Sequence, residues 1–148
     1  MGAPDGVVVR RARPDDVPAV TALIGDLGYA STEEQVGVRL AAALADPAQE
    51  LIVADRDGRA IGMAVLHRFA ALNHDDPSLR LALLVVSAAE QGRGIGRLLV
   101  EATEARAREI GAGSVHLTSG NHRAGAAHAF YRALGYVGDG VRFRKKLG

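Results

Sequence analysis

The sequence predicts an α/β (α+β) domain in which a mixed sheet is flanked by about four helices. Apolar residues recur at helical spacing in four stretches, which begin near residues 14, 31, 95 and 123. Two short runs of strand-forming residues, 51–54 and 61–66, flank an Asp-Arg-Asp-Gly turn and predict a hairpin. Residues 81–86 are a continuous apolar run, which is typical of a strand buried on both faces in the middle of a sheet.

The first half of the chain begins with a short predicted strand, residues 7–9, and continues with two helices. Pro14 opens the first helix, because proline suits a first turn and the acidic residues after it favour the positive end of the helix dipole. Gly28 ends this helix. Ser31 and Glu34 have the spacing of a capping box, which predicts the start of the second helix. The hairpin follows, and then a polar loop.

The second half of the chain contains a long predicted helix, which follows a glycine-rich segment at residues 91–96. Its apolar and charged residues separate onto two faces, as expected of a helix that covers a sheet. A strand at 115–118 and a helix at 123–134 come next, and Gly135 ends that helix. We expect residues 141–146 to form the strand that closes the sheet.

Composition and charge restrict the classes of function. The 148 residues suffice for one domain with a real core, so we expect a single domain over residues 1–148. A formal net charge of +1 gives no reason to expect nucleic-acid binding. The chain has no cysteine, which excludes disulfides, a thiolate metal site and a cysteine nucleophile. Its first residues do not resemble a signal peptide, and no apolar stretch reaches the ~20 residues of a membrane helix. We therefore expect a cytoplasmic protein without membrane contact.

The glycine-rich segment at residues 91–96 is the centre of the predicted chemistry. Glycines let the backbone bend and approach a ligand closely, and free amides at a helix start bind phosphate. Arg93 and Arg97 add positive charge. A dinucleotide fingerprint fails, because Arg97 or Leu99 stands where its last glycine is required, and no Gly-Lys pair exists for a P-loop. A plain glycine-rich turn is the alternative interpretation.

Two motifs carry a resemblance to a known family. Gln91, Gly94 and Gly96 fit the pattern Gln/Arg-x-x-Gly-x-Gly/Ala, which resembles the pyrophosphate loop of GNAT acetyltransferases. Residues 127–136, with a Phe-Tyr pair and a Gly-Tyr ending, resemble the second motif of that family. The resemblance is best over residues 81–147. It implies a GNAT fold with a mixed, mostly antiparallel sheet, and acetyl-CoA as cosubstrate.

Further features resemble the aminoalkylphosphonate and aminoglycoside-like branch of the family: Asn121, the Ala-His-x-Phe-Tyr sequence at 127–131, and the basic ending at 142–147. This closer resemblance implies an N-acetyltransferase that acts on the primary amine of a small molecule by direct attack on the thioester. A protein or peptide acetyltransferase and a catalytically silent acyl-CoA-binding module stay open as alternatives. A homodimer is common in the family, so monomer and homodimer both stay open.

The resemblance also implies roles for individual residues. Tyr131 is the expected acid for the leaving thiolate, since a phenol of pKa ~10 can donate to a thiolate whose thiol has a pKa of ~8.5; packing alone is the alternative. The acceptor amine is expected to contact Tyr29, Arg68 and His74, without a metal. The residues expected to bind acetyl-CoA are Val85, Val86, Gln91, Gly92, Arg93, Gly94, Ile95, Gly96, Arg97 and Asn121.

The resemblance does not identify a general base. Relatives in this branch often carry a glutamate on the central strand, but Leu83 aligns with that position. The candidates that remain are His67, His74, Asp75, Asp76 and Glu33. The His-Asp-Asp run among them also resembles a weak metal cluster, although a solvated polar loop is the more ordinary interpretation of such a run.

Overall fold

The computed structural model describes residues 4–120 and 125–148. The chain divides into two compact units, Met1–His116 and Leu117–Gly148. Within the described residues, five strands form one sheet in the order β1-β2-β3-β4-β5, with the bounds Val7–Arg11 (β1), Gln49–Arg56 (β2), Arg59–Phe69 (β3), Ser78–Val86 (β4) and Val115–Leu117 (β5). The pairs β1–β2, β2–β3 and β3–β4 are antiparallel.

Four α-helices accompany this sheet in the described ranges: Val17–Asp26 (α1), Glu33–Ala45 (α2), Ile95–Glu109 (α3) and Ala126–Ala133 (α4). The mixed, mostly antiparallel sheet with four helices confirms the predicted fold class. The hairpin is confirmed with it, because β2 and β3 pair antiparallel. The predicted strand at 81–86 lies within β4, but it is not buried throughout, since Leu81 and Val85 are buried and Ala82 is exposed.

The sheet is buried on both faces in the first unit. On one face, α1 and α2 pack against β2, β3 and β4 in a core that includes Val20, Leu23, Val36, Leu40, Val53, Met63 and Val85. Side chains alternate along a strand, so Gly62 faces the opposite side from Met63. That opposite side is covered by α3, whose Ile95 and Leu99 are 1% and 0% exposed.

The capping box of α2 lies one residue later than predicted. The Thr32 hydroxyl accepts from the Gln35 backbone N–H at 3.1 Å, and the Gln35 side-chain oxygen accepts from the Thr32 N–H at 3.0 Å. Ser31, the predicted cap, instead donates to the Tyr29 carbonyl at 3.4 Å. Glu34 and Gln35 both suit the third helical position, so the spacing rule alone does not choose between the two registers.

The predicted closing strand at 141–146 is wrong, because residues 137–148 adopt neither helix nor strand. Apolar and basic residues alternate only over 141–144, ahead of two lysines. A strand also needs a neighbour that pairs with its backbone and buries one of its faces. Val141 and Phe143 are 79% and 91% exposed, so this segment has no such buried face.

An ion-pair network joins β1 to the start of α1 and to the end of β2. The Arg10 guanidinium donates two hydrogen bonds to Asp16, at 2.7 and 2.9 Å, and a third to Asp55 at 2.6 Å. Asp16 also accepts from the Arg13 N–H at 2.7 Å. The hydrogen bonds from Arg10 hold the pKa of both carboxyl groups below the ordinary value of 3.8, against the opposing effect of burial.

We expect Asp16→Asn to lower the free energy of unfolding at neutral pH by about 2 kcal/mol, since it weakens charged hydrogen bonds at a buried site. A lowered folded pKa means that this stabilisation is present above the unfolded pKa and is lost as pH falls through the folded value. Urea unfolding of the wild-type protein and of Asp16→Asn should therefore show that the difference between their free energies of unfolding becomes smaller below about pH 4.

Asp15→Asn is the matched control, because Asp15 is the neighbouring residue and its side chain is 77% exposed. Its ion pair with Arg13 spans 3.4 Å at the surface, so its loss should change the stability by less than about 0.5 kcal/mol. Equal losses in the two variants, or a loss for Asp16→Asn that is constant with pH, would contradict the role given to the network.

Candidate active site

Strand β4 leads into the glycine-rich segment and contains an irregularity before it. Val65 pairs with Leu83 and Leu66 pairs with Leu81, so Ala82 bulges out of the ladder. Beyond the bulge, Leu83 packs against the core beneath α1 and α2. A bulge increases the local twist of a strand, which redirects the final residues of β4.

Val85 and Val86, two of the residues expected to contact acetyl-CoA, end β4. They pair with Met63 and Gly62 of β3, and the Val85 side chain is buried in the core. The Val85 side chain is therefore structural. A contact of Val85 with a ligand would come from its backbone groups.

The segment from Gln91 to Gly94 is exposed and turns directly into α3. Gly92 and Gly94 have φ values of 78° and 82°, in the left-handed region that favours glycine. Gly94 is the N-cap of the 15-residue helix, and within the described chain no side chain caps this end. The first backbone amides of α3 are thus left for solvent or a ligand, at the positive end of the helix dipole.

The charges around this helix start are exposed and weakly held. Arg93 is 62% exposed and lies 3.6 Å from Glu90, and Arg97 is 51% exposed and pairs with Glu101 at 2.9 Å. Exposed pairs of this kind contribute little free energy, so either guanidinium can turn to an anion at modest cost. The free backbone amides, the helix dipole and the exposed guanidinium groups of Arg93 and Arg97 together suit this helix start to phosphate groups.

Gly62 fixes how closely α3 approaches the sheet, and the sequence analysis missed it. A Cβ at this position would lie 3.0 Å from a methyl carbon of Ile95, 3.1 Å from Leu99 and 3.3 Å from the Val85 carbonyl oxygen. A larger residue at this position would therefore push the first turn of α3 away from β3 and β4 by a few tenths of an ångström. A glycine inside an apolar strand was the available signal, since it often marks a close backbone approach.

Tyr131 lies on α4, in the second unit. Its ring is half-buried and makes edge contacts with Phe130 and Tyr136, with ring centroids 5.1 and 5.9 Å apart. The Tyr136 N–H also donates to the Tyr131 carbonyl at 3.0 Å. These contacts fix the ring within its unit. Asn121, the remaining predicted acetyl-CoA contact, lies outside the described residues.

The three predicted acceptor residues are exposed and lie on separate segments. Tyr29 follows α1, Arg68 is near the end of β3, and His74 is in the loop before β4. No hydrogen bond, ion pair or ring contact joins them in the part of the chain that the structure describes. His74 bonds instead through Nδ1 to the Asp76 carbonyl at 2.8 Å. Residues 4–120 and 125–148 contain no group of three potential metal ligands.

Comparison with known proteins identifies the family. Residues 18–136 match the family model described as the acetyltransferase (GNAT) family, so this chain belongs to the GNAT acetyltransferases. Among characterised relatives, it is similar to the aminoalkylphosphonate N-acetyltransferase of Salmonella typhimurium strain LT2. The two are 34% identical over 140 residues, which cover 94% of this chain and 90% of the relative.

Solved structures agree with this assignment. A putative acetyltransferase from Agrobacterium tumefaciens strain C58 superposes with a TM-score of 0.86 at 29% identity, over 95% of this chain and 99% of that one. An aminoglycoside acetyltransferase from an uncultured soil metagenomic sample shares the fold, with a TM-score of 0.81 at 19% identity over 97% and 98% of the two chains. No helix in the described ranges has the length and apolar character needed to span a membrane.

Proposed function

We propose that this chain transfers the acetyl group of acetyl-CoA to the primary amine of a small molecule, by direct attack of the amine on the thioester. The observation that carries the proposal is the exposed turn from Gln91 to Gly94, whose glycines have positive φ directly before α3. A Cβ added at Gly92 would meet no atom of the described residues within 4 Å, so these residues leave space beside the turn for a ligand. Backbone amides, the helix dipole and Arg93 suit the pyrophosphate of CoA.

In this proposal, binding of acetyl-CoA and protonation of its sulfur are carried out by different residues. Acetyl-CoA supplies the carbonyl carbon that the amine attacks. The backbone of Val85 and Val86 holds the pantetheine arm, and the glycine-rich turn holds the pyrophosphate. Tyr131 protonates the sulfur of the departing CoA. The chain has no cysteine, which supports direct transfer to the amine without a thioester on the enzyme.

No carboxylate of β4 serves as the base in this proposal. Leu83 stands where relatives of the branch carry a glutamate, and its side chain packs into the apolar core. The amine therefore loses its proton to water or arrives neutral from solution. A primary amine has a pKa of ~10.4, so its neutral fraction rises about tenfold with each pH unit below that value.

The acceptor that we propose is a small amine that also carries an anionic group. The Salmonella typhimurium relative, at 34% identity, is an aminoalkylphosphonate N-acetyltransferase. Arg68 is exposed, and among the described residues Glu50 lies near enough for the charge of Arg68 to help lower its pKa. A guanidinium of this kind binds a phosphonate or carboxylate through paired hydrogen bonds.

A panel of amines tests this function, with release of free CoA as the readout. The panel contains aminoalkylphosphonates, amino carboxylates, neutral amines and a lysine-containing peptide, each assayed from pH 7 to 9. We expect the highest kcat/KM with the anionic small amines. We also expect kcat/KM to climb through this range and to follow the pKa of each amine, since β4 supplies no side-chain base in this proposal.

Other outcomes of the panel each point elsewhere. Preference for the peptide would favour a protein acetyltransferase, and CoA binding without turnover would favour a silent acyl-CoA-binding module. A pH profile of kcat/KM that rises with an apparent pKa of ~6.5 for every amine would indicate a histidine base. In that case His67→Ala or His74→Ala should remove this rise.

A further inference from the structure

The segment between β4 and the glycine-rich turn is tied to several other elements. At the end of β4, the Ser87 N–H donates to the Ile61 carbonyl of β3 at 2.9 Å. The next amide, that of Ala88, donates to the Asp26 carboxylate at the end of α1 at 3.0 Å. Two successive amides are therefore bound to two different elements, which fixes the path of the chain as it leaves the sheet.

A third tie comes from Glu90, which directly precedes the turn. Its Oε1 accepts from Nη1 of Arg56, the last residue of β2, at 2.5 Å. The side chains of Arg56 and Glu90 are 28% and 14% exposed, so this pair is largely shielded from water. The other oxygen, Oε2, is buried without a hydrogen bond in the described structure and lies 3.6 Å from the exposed guanidinium of Arg93.

The charge of Glu90 is unfavourable for binding an anion nearby. A carboxylate beside a phosphate site repels the phosphate unless it is neutralised or has a second role. Its contact with Arg56 is short and shielded, whereas its contact with Arg93 is long and exposed. Screening weakens the exposed contact, so Arg56 decides where the carboxylate sits.

We propose that the Arg56–Glu90 ion pair is a positioning device, which holds the glycine-rich turn in the place where it binds the pyrophosphate of CoA. This inference rests on the proposed function. Glycines at positive φ allow a turn many conformations, and a tie immediately before them restricts that freedom before the ligand arrives. Arg56 and Glu90 thus act through the turn and do not touch the reacting atoms.

The direction in which a single substitution changes the Kd for CoA distinguishes positioning from simple electrostatics. Glu90→Met keeps the length of the side chain and removes its charge. If Glu90 were only a counter-charge to Arg93, this change should tighten CoA binding. Positioning predicts the opposite result, a Kd for CoA raised about tenfold in calorimetry, and Arg56→Gln should raise it to a similar extent.

Two further variants make the comparison specific. Arg59→Gln removes the same charge from the residue that faces Arg56 across the hairpin, and Arg59 is exposed without a carboxylate partner in the described chain. It should change the Kd by less than about twofold. Arg56→Lys keeps a cation that can reach the carboxylate, so it should retain most of the affinity. Thermal unfolding shows that each variant is folded.

Acetylpantetheine, which lacks the pyrophosphate, gives the second readout. Positioning predicts that kcat/KM falls with acetyl-CoA in Arg56→Gln and Glu90→Met but changes little with acetylpantetheine. Equal losses with both donors, or tighter CoA binding by Glu90→Met, would overturn the inference and leave the proposed function intact. A wild-type protein that binds no CoA would overturn the proposed function as well.

Discussion

Replacing Tyr131 by phenylalanine should lower kcat by about 100-fold or more while leaving the affinity for acetyl-CoA nearly unchanged. The substitution deletes only the hydroxyl and keeps the ring that contacts Phe130 and Tyr136. An acid that acts only as the thiolate departs contributes to the transition state and not to ground-state binding. Steady-state kinetics together with calorimetric binding of CoA separates these two quantities.

Tyr136→Phe is the matched control for this prediction. Tyr136 lies five residues further along and its ring touches that of Tyr131, but the proposed chemistry gives it no part. Loss of the Tyr136 hydroxyl should leave kcat within about threefold of the wild-type value. Near-normal turnover by Tyr131→Phe with a good amine would show that Tyr131 is a packing residue, which is the alternative that its ring contacts allow.

Gly94→Val should raise the Kd for CoA more than tenfold, a loss of about 1.4 kcal/mol or more. Gly94 has a φ of 82° and is the N-cap of α3. The first backbone amides of the helix, which have no partner within the helix, lie directly after it. A β-branched residue is strained at this φ, and its Cβ would lie 3.8 Å from Pro4 Cγ. The expected loss therefore comes from displacement of the backbone whose amides would bind the phosphate.

Gly111→Val separates these effects from strain alone. Gly111 has a φ of 76° just beyond the other end of α3, and a Cβ there would meet none of the described atoms within 4 Å. The two variants should lose comparable stability, but only Gly94→Val should lose CoA affinity. Unchanged CoA binding by a folded Gly94→Val protein would remove the phosphate site from this turn.

The sequence predicts the elements that depend on local patterns. The apolar run in β4, the hairpin of β2 and β3, and the glycine-rich turn before α3 all follow from spacing or residue type within about ten residues. Those patterns also locate the turn and the end of β4, which are adjacent in the chain, whereas the roles of Tyr131 and of the acceptor residues stay predictions.

The features that were missed depend on residues far apart in the chain. The contact of Gly62 with Ile95 and Leu99 requires the register of β3 and the position of α3. The pair between Arg56 and Glu90 joins residues 34 positions apart. Neither distance follows from local periodicity. Residues 141–146 show the converse, because the predicted strand is irregular where Val141 and Phe143 are exposed.

Acetyl transfer itself is tested most directly by incubating the purified protein with acetyl-CoA and 2-aminoethylphosphonate, and measuring N-acetylated product and free CoA together. We expect one CoA released for each amine acetylated, and only background hydrolysis when the amine is left out. CoA release that does not depend on any amine of the panel, with no acetylated product, would contradict an N-acetyltransferase function for this chain.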